Sequence, residues 1–171
     1  APDHDQSYRY FMQHRFFNHI DILPENTRVP DGLAADAAAE CAAYDAHIRA
    51  LGGIDLQLLG IGRNGHIGFN EPSGDYVKGT HIVDLAPSTI EANARFFATP
   101  DDVPRQAFTM GIGCILSARK ILLVASGADK ADAVYQAVCG PVDPHCPGAI
   151  LQLHSNVVIV GDEAALSKLT A

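Results

Sequence analysis

The residues best suited to chemistry are crowded into one short run, Gly60-Ile61-Gly62-Arg63-Asn64-Gly65-His66-Ile67-Gly68-Phe69-Asn70-Glu71-Pro72. His66 has a reference pKa of ~6.5, suited to moving protons near neutral pH. Glu71 is close enough in sequence to act on the imidazole's second ring nitrogen, fixing its tautomer and raising its basicity. Asn64 can orient the same ring by a hydrogen bond. Taken as residues alone, the pair supports two readings. It is an acid/base pair, or His66 is bonded to its own loop and Glu71 is a solvated turn residue. Glycines at 60, 62, 65 and 68 allow tight turns and close approach of a ligand to the backbone. Gly60-x-Gly62-x-x-Gly65 matches the dinucleotide fingerprint by letters, but no helix opens at its third glycine, so the match carries little weight.

A loop of this kind needs a scaffold. The short apolar run Ile54 to Leu59 directly before it reads as a strand of a sheet covered on both faces. Tyr8, Phe11, Met12, Phe16 and Ile20 recur at helical spacing and predict an amphipathic helix over about 6–19, with its aromatic stripe in the core. A second helix is predicted over about 34–51, ended by Gly52-Gly53. Beyond the loop, 81–85 reads as a weak strand, and Ser88 with Glu91 as a capping box that opens a helix to about 97. A strand over 107–111, a short helix over 112–118, a buried strand over 120–125 and a helix over 128–138 follow. Gly140 to Gly148 reads as a loop, 151–153 as a strand tip, 157–160 as a last strand and 162–168 as a final helix. Strands alternating with helices predict an α/β fold with a mostly parallel sheet, whose ligands bind at the carboxyl ends of the strands.

Composition narrows the partners. With 12 Lys+Arg against 20 Asp+Glu, the 171-residue chain carries a formal net charge of −8. That argues against nucleic acid and against an anionic membrane surface. No apolar run is long enough to span a membrane, and no signal peptide is visible. The four cysteines, Cys41, Cys114, Cys139 and Cys146, are therefore expected as free thiols in a reducing cytoplasm. Cys139, His145 and Cys146 lack the paired spacing of a zinc site and read as a loop after a helix.

The run GIGRNGHIGFNEP resembles the signature of the glucosamine-6-phosphate deaminase (isomerase) family. The likeness extends through SYRYFMQHRFFNHIDI, ANARFF, FTMGIG, SGADKADAV and LQLH. It implies a Rossmann-like three-layer sandwich with a mostly parallel sheet, forming one domain over 1–171 from which the N-terminal part of the family fold is missing. It also implies conversion of glucosamine 6-phosphate and water to fructose 6-phosphate and ammonia, with no metal or organic cofactor. The expected partner is the small sugar phosphate, and a homo-oligomer is compatible with the family.

Residue by residue, His66 would open the pyranose ring and Glu71 would support it. Asn64 stands where some members have Asp, so polarisation of His66 would fall mainly to Glu71. Arg95 and Lys130 match the phosphate-binding cations, and Gly60 and Gly62 would approach the substrate. Without the resemblance, Arg95 and Lys130 read as solvated surface charges. The family's proton-shuttling Asp belongs to a segment before Ser7, where Asp3 and Asp5 stand in the wrong context. The closely spaced basic pair of allosterically activated members is not matched by Lys78 and His81. Two rivals remain: a 6-phosphogluconolactonase-like hydrolase, whose signature ends differently from Phe69-Asn70-Glu71-Pro72, and a non-catalytic sugar-phosphate sensor or inactive fragment.

Overall fold

The computed structural model describes residues 1–169. Three strands, β1 (Leu56–Leu59), β4 (Lys120–Ala125) and β5 (Val157–Gly161), form a parallel sheet in the order β1-β4-β5. Leu58 pairs with Leu122 and Leu122 with Val158, so their carboxyl ends lie on one edge. Two further strands, β2 (His81–Asp84) and β3 (Gln106–Thr109), pair with each other antiparallel as a separate ribbon. The fold is α/β with a parallel sheet, as the alternation predicts.

Because strand side chains alternate, the register sorts the sheet into two faces. Leu59, Ile121, Leu123 and Ala125 are buried on one face, against Ile115 of α4 (Ile112–Leu116), Val134 and Ala137 of α5 (Ala131–Cys139) and Ala165 of α6 (Glu163–Leu166). On the other face Leu56, Leu58, Val124, Val158 and Val160 are 39–62% exposed. Among the described residues β1 is covered on one face, and the other is partly exposed.

The N-terminal prediction is corrected. Helix α1 spans Tyr8–Arg15, opened by the Ser7 hydroxyl accepting from Tyr10 N, and a 3-10 turn covers Phe17–His19. None of its residues is buried; Tyr8, Phe11, Phe16 and Ile20 are 43–65% exposed. The spacing is helical, but among the described residues the stripe stays largely exposed, with Met12 partly buried. Helix α2 spans Ala37–Ala50, capped by Asp36, whose carboxylate accepts from Ala39 N. Gly52 and Gly53 follow in the left-handed region, which favours glycine.

Two other expectations change. Helix α3 spans Pro87–Ala94 with Ala86 at its N-cap, so the Ser88–Glu91 capping box does not form. Pro87 takes the first helical position, where a missing N–H costs nothing, and the start shifts upstream of Ser88. The segment Pro147–Leu153, whose end reads as a strand tip, is a mostly buried 3-10 helix. None of the four cysteines forms a disulfide. Among the described residues, no helix is long and apolar enough to cross a membrane.

Candidate active site

The loop after β1 is held by its own backbone. Gly62 N donates to His66 O at 2.9 Å, and Gly65 N to Gly62 O at 3.0 Å. This tight return puts the His66 imidazole on top of Gly62. A Cβ at Gly62 would lie 2.4 Å from ring atoms Cε1 and Nδ1. Gly60 is under no such demand, since the nearest contact of a Cβ there would be Val124 O at 4.0 Å. Gly65 and Gly68 have positive φ, and no helix opens at Gly65, which removes the dinucleotide motif's structural context. Downstream, the buried Asn70 donates from Nδ2 to Ile67 O and Met110 O at 2.9 Å each, pinning the loop beside β3.

His66 and Glu71 come together as a pair. Nδ1 of His66 lies 3.3 Å from Oε2 of Glu71, with side chains 18% and 7% exposed. Nδ1 has no hydrogen bond of good geometry, and the carboxylate faces it at ion-pair distance. A carboxylate on that side favours the proton on Nδ1 and leaves Nε2 as the base. Among the described residues no protein group bonds Nε2.

Asn64 acts differently from the sequence expectation. Its Nδ2 donates to Glu71 Oε2 at 2.8 Å, and its Oδ1 accepts from His66 N at 3.3 Å. A carboxylate only accepts, so the NH2 must face it. Asn64 thus orients the ring through Glu71 and the backbone rather than by touching the imidazole. The other carboxylate oxygen, Oε1, accepts from Thr89 Oγ1 at 2.6 Å and from Ala86 N at 3.4 Å.

Burial pushes the Glu71 carboxyl up, but the His66 ring, the Thr89 hydroxyl and the Asn64 amide outweigh it and hold it at about 2, below its ordinary 4.5. A folded value below the unfolded one adds stability that is full above about 4.5 and is lost as pH falls through about 2. Glu71→Gln removes this titration. Its melting temperature should therefore fall less steeply than that of the unsubstituted chain between about pH 5 and pH 2. Parallel slopes in thermal denaturation would contradict the assignment.

The two expected phosphate-binding cations lie on different elements. Arg95 follows α3 as its C-cap, exposed, with its guanidinium 4.7 Å from the Phe96 ring centroid. Lys130 lies in the turn after β4, at the N-cap of α5. The signature loop reaches this turn through Arg63, whose Nε donates to Asp129 at 2.7 Å. Gly127 N donates to the Asp162 carboxylate at 2.9 Å, and Lys130 N to Gly127 O at 3.1 Å. Those two N–H groups are already engaged, so Lys130 would meet an anion through its side chain. Among the described residues, neither Arg95 nor Lys130 forms an ion pair.

An open cavity of about 330 Å³ lies between the loop and α5, lined in part by Arg63, Asn64, Gly65, Asp132, Gln136 and Cys146 but not by His66. No group of three or more His, Cys, Asp or Glu is placed to hold a metal ion among the described residues. Sequence reasoning missed Thr89 and the Arg63–Asp129 pair. Both are contacts across long stretches of chain, without a local pattern to reveal them.

Residues 1–160 match the model of the glucosamine-6-phosphate isomerase/6-phosphogluconolactonase family. The chain belongs to this family. The glucosamine-6-phosphate deaminase of Clostridioides difficile (strain 630) is 59% identical over 165 residues, which cover 96% of this chain and 66% of that protein. The deaminase of Clostridium perfringens (strain ATCC 13124) is 56% identical over 169 residues, 99% of this chain and 70% of its own length. This family member thus spans about two thirds of those relatives. A solved structure described as a monomeric glucosamine-6-phosphate deaminase superposes with a TM-score of 0.94 at 47% identity, covering 98% of this chain and 69% of that one. The structure named devB protein, at TM-score 0.77 and 21% identity, shares the fold.

Proposed function

We propose that this chain carries the ring-opening and phosphate-binding part of a glucosamine-6-phosphate deaminase. The observation that supports this most is the His66–Glu71 pair, partly buried after the carboxyl end of β1 with Nε2 unengaged by described protein groups. The named relatives are deaminases, and their identity to this chain supports the same substrate.

Ring opening takes the proton from the anomeric hydroxyl, forms the C1 carbonyl, breaks the bond from C1 to the ring oxygen and protonates that oxygen. One imidazole facing both oxygens can take the first proton and return it to the second. Glu71 stabilises the imidazolium that exists between the two transfers. Asn64 keeps the carboxylate turned to the ring. Arg95 offers a planar fork and Lys130 a point charge to the 6-phosphate. Transfer of a proton between C2 and C1, and loss of ammonia, call for a further general base. On this reading that base is the family's Asp, expected in a segment before Ser7.

Substitution of Arg95 or Lys130 by Ala should act on binding, raising KM about tenfold or more with a smaller change in kcat. Steady-state kinetics on glucosamine 6-phosphate would contradict this if kcat fell and KM held. The activity itself is tested by offering glucosamine 6-phosphate and 6-phosphogluconolactone in parallel to the chain joined to the upstream segment of a relative. Fructose 6-phosphate and ammonia from the first support the reading. Acid release from the second alone would replace it with a lactonase.

A further inference from the structure

The two oxygens of Glu71 face different parts of the molecule. Oε2 faces His66 and Asn64 within its own loop. Oε1 faces α3, where it takes the Thr89 hydroxyl at 2.6 Å and the Ala86 N–H at 3.4 Å. Helix α3 has no side-chain cap from its own N-cap residue. The first N–H groups of a helix lack intrahelical partners and favour an anion. The Glu71 carboxylate fills that place from 18 residues upstream of Thr89. A helical threonine often turns its hydroxyl to a carbonyl of its own preceding turn. Thr89, only 5% exposed, gives it to Glu71 instead.

A carboxyl group rotates freely about its last torsion, which has broad minima. Held at Oε2 alone, it could turn away from the ring. A second anchor at Oε1 fixes its plane. We propose that Thr89 is a positioning residue for the acid/base pair, its hydroxyl locking the Glu71 carboxylate so that Oε2 stays on His66. This rests on the ring-opening role given to His66. Arg95 ends the same helix, so a role confined to holding α3 would act on phosphate binding and appear in KM. A positioning role appears in the rate.

The test uses Thr89→Val, which keeps the shape and removes the hydroxyl, Thr89→Ser, which restores it, and Thr89→Ala should Val disturb the helix. One readout needs no substrate: the titration of the Glu71 carboxyl followed by carbon-13 NMR. Without the hydroxyl its midpoint should rise from about 2, and Ser should return it. The other readout is exchange between the anomers of glucosamine 6-phosphate. Its maximal rate should fall about tenfold in the Val and Ala variants, with half-saturation within about twofold and Ser close to the unsubstituted chain. An unchanged midpoint, or a change in half-saturation alone, would overturn the proposal. If the unsubstituted chain opens no ring, the functional reading fails, and the carboxyl titration still decides whether Thr89 sets the carboxylate.

Discussion

Replacing His66 by Gln should slow ring opening by roughly 10²–10⁴-fold, the span that a positioned general acid/base commonly contributes. Gln keeps a polar side chain of similar reach but cannot carry a proton between two oxygens. The site offers no substitute close by. Glu71 is held at about 2, so it stays ionised and has no proton to give near neutral pH. Asn64 does not titrate in this range, and the Thr89 hydroxyl is bonded to the carboxylate. Binding through the 6-phosphate is remote from the ring, so KM should move little. The check is the exchange rate between anomers, with half-saturation measured beside it. A variant that keeps the unsubstituted rate would remove His66 from the mechanism.

Gly62→Ala is the second large effect, and a methyl group is the whole perturbation. Gly62 does not have positive φ, so alanine meets no backbone strain there. The cost comes from the ring: the new Cβ would sit 2.4 Å from Cε1 and Nδ1 of His66 and 2.6 Å from Nε2. The imidazole is the part able to give way, and doing so moves it off Glu71. A misplacement of about 1 Å can cost ~10²-fold in rate. Overpacking of this kind also costs about 1–3 kcal/mol of stability. Gly60→Ala is the matched control, because a Cβ there meets only Val124 O, at 4.0 Å. Both glycines match the same signature, yet the first substitution should nearly abolish ring opening and the second should leave it within about threefold, a surface-like effect. Equal losses in the two variants would show that the ring's seat on Gly62 is not what the loop requires.

The site was readable in the sequence wherever its contacts are short in chain terms. His66, Glu71 and Asn64 lie within one loop, and a tight glycine turn leaves few other ways to arrange them. The manner of contact was less readable. Asn64 reaches the carboxylate and not the ring, because the return of the loop points its amide past His66. Thr89 could not be found this way, since its partner is 18 residues distant and its own segment suggested a different cap. Ser88 and Glu91 fit that capping pattern, but Pro87 claims the first helical position and Glu71 supplies the acceptor from outside.

The scaffold shows the same division. Lys120–Ala125 was evident as a strand from its apolar run, and α2 from its helix formers and its terminal glycines. Burial was not evident. The stripe of Tyr8, Phe11 and Phe16 and the outer face of β1 have the patterns of buried elements, and among the described residues both stay about half exposed or more. Periodicity records which side chains share a face, and burial depends on what meets that face.

The proposed function assigns the ring opening of a 6-phosphorylated amino sugar to His66, set by Glu71. It is tested most directly by magnetisation transfer between the C1 signals of the two anomers of glucosamine 6-phosphate, in the presence of this chain and with no other enzyme. Saturable acceleration of exchange is expected, disappearing in His66→Gln and weak for glucosamine lacking the phosphate. Exchange no faster than in buffer, or equally fast with His66→Gln, would contradict the assignment.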